Sequence, residues 1–141
     1  MSTADAFRDA VEAGDQAAIV ALFAPDIRFY SPVKFTPFEG IEVVSALFSV
    51  LQRTFTDFRY VGEFSGWAEE GRGGEEAESY ILVFRTVVEG KDVHGIDLLQ
   101  LDAQGLISTF TVMIRPLSAV TTVSQAIYAG LVADGVLPAP A

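Results

Sequence analysis

Lys91-Asp-Val-His-Gly-Ile-Asp-Leu-Leu-Gln-Leu-Asp-Ala-Gln-Gly-Leu-Ile-Ser-Thr-Phe-Thr-Val-Met-Ile-Arg-Pro116 is the stretch on which the fold turns. Its alternation and its turn residues, Asp102-Ala-Gln-Gly105, predict two long strands joined by a tight connection. One carboxylate, Asp97, sits inside the apolar part of the first strand. A charge in such a run is costly unless it is exposed, paired or used.

Working outward, Tyr80 to Val88 is almost continuously apolar, which predicts a strand covered on both faces. In Phe58-Arg-Tyr-Val-Gly-Glu-Phe64 the even positions are apolar or Gly, while Arg59 and Glu63 point the other way. Between these strands, Glu69 to Glu78 is rich in Gly and Glu and reads as a solvated hairpin connection. Everything from Thr56 to Pro116 is therefore expected to be strand and turn.

The front of the chain has helical spacing instead. Ser2 and Thr3 are N-cap candidates, Phe7, Ala10 and Val11 share a face, and Gly14 suits a helix end. Asp15 is expected to cap a second short helix carrying Ile19, Leu22 and Phe23, ended by Pro25. Ile27 to Val33 reads as a strand and Pro32 to Gly40 as a loop. Val44, Leu47, Phe48, Leu51 and Phe55 then mark the strongest helix, from Ile41 to about Phe55. A last helix is expected over about 119–133, followed by a frayed tail over 137–141. The order α-α-β-α-β-β-β-β, with that terminal helix, makes an α+β domain. A curved antiparallel sheet wrapped around the front helices would enclose a pocket on its concave face. The doubly apolar strand predicts that the convex face is covered too, most simply by a second copy in a homodimer.

Composition narrows the function. At 141 residues the chain fits one domain over 1–141, with a core of about 5–118. The formal charge of −10 disfavours nucleic acid and anionic membrane as partners, because the phosphate-neutralising interaction would be repulsive. With no cysteine and a single histidine, His94, thiol nucleophiles, disulfides and Cys/His zinc sites are excluded. No calcium-type D-x-D-x-D loop occurs, and neither metal nor cofactor is expected. No apolar run nears the ~20 residues of a membrane span, and no secretion signal is visible, so a cytoplasmic location is expected.

Three segments carry a family resemblance. Glu12-Ala-Gly-Asp-Gln-Ala-Ala-Ile-Val-Ala-Leu-Phe-Ala-Pro-Asp-Ile-Arg-Phe-Tyr-Ser-Pro32 resembles the opening of SnoaL-like domains in the NTF2-like superfamily. Phe38-Glu-Gly-Ile-Glu-Val-Val44 is similar to the way into that family's third helix, and Gly95 to Ile107 to its penultimate strand and turn. The resemblance spans about residues 5 to 118. It implies a cone-shaped α+β barrel with a hydrophobic cavity, commonly a homodimer. Its members include ketosteroid isomerases, polyketide cyclases, limonene-epoxide hydrolases, dehydratases and plain binding modules, so chemistry must be argued from the site.

Residue by residue, the resemblance favours some activities over others. A ketosteroid isomerase would place its general-base Asp at Ser31 and its oxyanion Tyr at Phe7, while its oxyanion Asp falls on Asp97. One of those three is retained. A limonene-epoxide hydrolase would place its acid near Val112. A SnoaL-type cyclase needs chiefly one pocket Asp, and Asp97 is compatible with that role. His94 lies three residues away on the same strand, which puts the two side chains on opposite faces unless Gly95 makes a bulge.

Period-two counting from Asp97 predicts the other walls. Phe110, Val112 and Ile114 should come from the last strand, and Tyr80, Leu82 and Phe84 from the doubly apolar one. Phe58, Tyr60 and Phe64, with Phe29 and Ser31, complete the expected lining. The ligand would be a small hydrophobic molecule, polyketide- or terpenoid-like, with Asp97 as acid/base for a cyclase- or isomerase-type step. The alternative is a non-catalytic ligand-binding or dimerisation module, with Asp97 exposed or satisfied by a neighbouring Tyr or backbone amide.

Overall fold

The computed structural model describes residues 1–139; the last two positions of the expected tail, Pro140 and Ala141, lie outside the described residues. The chain begins with α1 (Thr3–Ala13) and α2 (Gln16–Val20), followed by β1 (Phe23–Tyr30) and β2 (Phe38–Glu39). Then come α3 (Ile41–Thr54), β3 (Thr56–Glu69), β4 (Glu76–Val88), β5 (Lys91–Leu101), β6 (Ile107–Arg115) and α4 (Leu117–Ala133).

Local chemistry sets the helix ends. Ser2 and Asp5 form a reciprocal capping box at the start of α1, and Gly14 closes it in the left-handed region at φ 65°. Asp15 caps α2 through a bond accepted from the Ala18 amide. The second helix is shorter than its spacing predicts. Phe23 starts β1 instead, because the Ile107 amide donates to the Leu22 carbonyl at 2.8 Å and draws the chain into the sheet. β2 is a two-residue strand inside the expected Pro/Phe loop, paired to β1 through Arg28–Glu39 and Phe29–Phe38.

The sheet has the order β2-β1-β6-β5-β4-β3 and is curved and unclosed. It is not purely antiparallel: β1 runs parallel to β6, which the long connection through α3 and the four strands between them in the chain allows. Among the described residues, no helix is long and apolar enough to cross a membrane.

α1 and α3 fill the concave side with aromatic rings. Phe110 lies 5.4 Å from Phe7, 5.3 Å from Phe29 and 5.2 Å from Phe48 between ring centroids. Such pairs contribute roughly 0.5–1.5 kcal/mol each beyond their buried area. This cluster fixes the helices against the sheet.

The convex side is apolar in its middle. Ladder register aligns Phe64, Ile81, Leu98 and Thr111 in one row and Val83, Ile96 and Met113 in the next. Phe64 and Met113 are 65% and 52% exposed. The exposure of Phe64 corrects the expected lining. A bulge between Tyr60 and Gly62 inserts one residue in β3, so positions after it change faces. The hairpin from β3 to β4 is less free than its Gly/Glu composition suggests. The buried Gln100 amide donates to the carbonyls of Ala68 and Glu69 and to Ser79 Oγ, and its Oε1 accepts from the Gly71 amide.

Candidate functional site

A cavity of about 310 Å³ opens between the concave sheet and the helices. Its walls are mainly apolar: Phe7 from α1, Phe48 and Leu51 from α3, Phe58 from β3 and Phe110 with Val112 from β6. Two polar groups meet within it. Tyr60 of β3 donates its hydroxyl hydrogen to Asp97 Oδ2 of β5 at 2.8 Å, and both residues are buried. Asp97 Oδ1 has no hydrogen-bond partner among the described residues.

Electrostatics follow from that burial. Removal from water pushes the Asp97 carboxyl up to about 7, against the downward pull of the Tyr60 hydrogen bond. Burial, reinforced by the Asp97 charge and bond, holds the Tyr60 phenol well above its ordinary value. The Arg8 guanidinium of α1 stands 5.9 Å from the centre of the Tyr60 ring and pairs with Glu12 at 3.2 Å. A carboxyl that titrates near neutrality can either donate or accept a proton under ordinary conditions.

The expected lining is partly assembled. Phe29, Ser31, Phe58, Tyr60, Asp97, Phe110, Val112 and Ile114 all border the cavity. Ser31 Oγ is already engaged there, accepting from the amides of Val33 and Lys34. Tyr80, Leu82 and Phe84 do not border it. Tyr80 turns its hydroxyl to Glu78 at 2.6 Å, at the far end of the strand. Phe84 stays behind Phe58, their centroids 5.1 Å apart, so Phe58 covers it. His94 is on the opposite face from Asp97, with Nδ1 3.4 Å from Arg115 Nη1; Gly95 continues the β4–β5 ladder without a bulge. Among the described residues, no group of three or more potential ligands could hold a metal ion.

Sequence reasoning missed one wall altogether. Val123, Ser124, Ile127, Tyr128 and Leu131 of α4 border the cavity, and so does Leu137, which falls in the expected frayed tail. The available signal was the uncharged, apolar i, i+4 spacing of 123, 127 and 131.

The sequence profile of the SnoaL-like domain family matches residues 4–110. The chain belongs to that family. No curated protein matches this SnoaL-like domain. Among solved structures it is similar to an uncharacterised bacterial protein with a cystatin-like fold from Silicibacter pomeroyi. They share 30% identity and a TM-score of 0.81 over 94% of this chain and 87% of that one. It is also similar to a steroid delta-isomerase from Pseudomonas aeruginosa, at 26% identity and TM-score 0.82, covering 96% of this chain and 93% of that one. An NTF2-like protein of unknown function from Cytophaga hutchinsonii shares the fold at 20% identity and TM-score 0.56, over 83% and 90% of the two chains. The α+β, NTF2-like architecture of this SnoaL-like domain is thus common to proteins of differing description.

Proposed function

We propose that this SnoaL-like domain binds a small hydrophobic molecule in its cavity and moves a proton on it with Asp97. The Tyr60–Asp97 hydrogen bond inside an otherwise apolar cavity carries this reading. Protonated Asp97 would donate through Oδ1 to a ligand carbonyl, polarising it. Ionised Asp97 would accept a proton from carbon beside such a carbonyl, with Tyr60 stabilising the carboxylate. The similarity to a steroid delta-isomerase supports an apolar ketone as the ligand class. Ser31 and Phe7 supply neither a second acid nor a second phenol, so one carboxyl would perform both halves of a cyclase- or isomerase-type step.

The test is solvent deuterium uptake into apolar ketones, followed by mass spectrometry, with wild type and Asp97→Asn side by side. The expected loss is on the order of 10²-fold or more, the usual scale for a general acid–base group. Tight binding with no exchange in wild type would leave the non-catalytic ligand carrier. We also infer a homodimer through the convex face, supported by the exposed Phe64 and Met113 beside the half-buried Ile81, Val83 and Ile96.

A further inference from the structure

One wall of the cavity belongs to an element that the family profile does not reach. The match ends at residue 110, and α4 lies wholly beyond it. Val123, Ile127 and Leu131 form a single stripe along that helix and face the cavity. After α4 the chain turns back through Gly135 at φ 76°, and the Val136 amide reaches the Leu131 carbonyl at 2.9 Å, which brings Leu137 to the same wall.

The ties that hold α4 are few and lie at one end. The helix has 17 residues, none charged, and its N-cap Pro116 gives no side-chain capping bond. Near its C-terminus, Arg53 of α3 donates to the Gly130 carbonyl at 3.2 Å and to Asp134 Oδ1 at 2.8 Å. Both partners of that ion pair are exposed, and exposed pairs contribute only about 0–1 kcal/mol. The remaining walls come mainly from the sheet, from α1 and α3 around the interlocked Phe7–Phe48–Phe110 cluster, which cannot part without breaking the core, and from residues 32–34, whose Val33 and Lys34 amides donate to Ser31 Oγ. Opening is cheapest where a segment has few polar ties and packs through one apolar stripe.

We propose that α4 is the gate of the cavity: it swings about Pro116 to admit ligand and is latched shut by Arg53. The proposal rests on the ligand-binding reading above. It assigns control of access to a part of the chain outside the family profile.

The absence of cysteine makes a clean test possible. A Cβ built at Gly130 lies 3.5 Å from Val50 Cβ, at the near end of the ~3.5–4.5 Å range of cystines. Neither position borders the cavity. In the Val50→Cys/Gly130→Cys protein, uptake and release of 1-anilinonaphthalene-8-sulfonate are followed by stopped-flow fluorescence before and after reduction. Phe110→Trp serves as the control that the probe occupies the cavity. The oxidised form is expected to exchange probe at least about tenfold more slowly than the reduced form, at similar affinity, as for a lid that gates access. Asp134→Ala, which removes the ion-pair bond of the latch, leaves the Arg53–Gly130 bond and does not touch the wall, should speed both steps a few-fold. Equal rates in oxidised and reduced protein, with the cystine verified by mass, overturn the gate; so does an unchanged rate in Asp134→Ala, which decides alone if the double variant does not fold. Cavity binding with flat rates removes the gate only. Failure of the probe to bind the wild-type cavity removes the ligand-binding reading and the gate with it.

Discussion

Phe84 lies directly across the β4–β5 ladder from Gly95, and its ring fills the space that a side chain at 95 would occupy. A Cβ there would come within 2.6 Å of both the Phe84 ring and the Met113 carbonyl oxygen. Gly95→Ala should therefore destabilise the fold by roughly 1–3 kcal/mol, the usual cost of overpacking. Trimming the ring in Gly95→Ala/Phe84→Leu should not restore full stability, because the Met113 backbone remains in the way. Urea denaturation of the three proteins checks this, and a Gly95→Ala as stable as wild type would refute the close packing.

Asp97 makes stability depend on pH with a definite sign. Its carboxyl titrates near 3.8 in the unfolded chain and at about 7 in the fold, so between those values the folded state holds more protons. Stability should then fall as pH rises from about 4 to 7, by on the order of 4 kcal/mol from this group, and level off above. Asp97→Asn keeps the acceptor for Tyr60 but cannot ionise. It should flatten that slope and exceed wild type in stability at pH 8. Parallel stability–pH curves for the two proteins would falsify the assignment.

Tyr60→Phe isolates the other partner. The phenol bond favours the ionised carboxylate, so its removal should push the Asp97 titration further upward. Carbon-13 NMR of the Asp97 carboxyl reads this directly. A midpoint that stays put or moves down would mean that the two groups do not share the proton-bearing bond. Any deuterium-exchange activity should show its pH dependence displaced in the same direction.

The convex face can be tested without touching the cavity. Phe64→Glu and Met113→Glu alter exposed side chains on the two apolar rows, so folding should be little affected. Wild type is expected to sediment near twice 15.2 kDa and the double variant near 15.2 kDa. A monomeric wild type at micromolar concentration would leave the apolar rows to some other partner.

Much of the architecture could be read from local pattern. The capping box at Ser2 and Asp5, the i, i+4 stripe of α3, and the β5–β6 hairpin around Gly105 are each fixed within a few residues by spacing and turn chemistry. Asp97 stood out for the same reason, as a charge in an apolar run, and seven further lining residues followed by counting in twos. Counting failed where the period itself broke. The bulge at Val61 sent Phe64 to the convex face, and its one local sign, Gly62 inside the strand pattern, does not tell a bulge from a regular strand glycine.

What the sequence alone determined was the class of the long elements, the two-residue β2 excepted, and which carboxylate must be accounted for, since both depend on neighbours in the chain. Tertiary structure decided the rest. That Tyr60 is the partner of Asp97 depends on two strands brought together across a third, and that Phe84 is hidden depends on the empty position at Gly95. That α4 and Leu137 close the cavity depends on Arg53 and Val50 receiving the helix from more than seventy residues away. These are contacts between distant parts of the chain, set by packing and by removal from water, and hydrophobic periodicity says that a face is buried without saying against what.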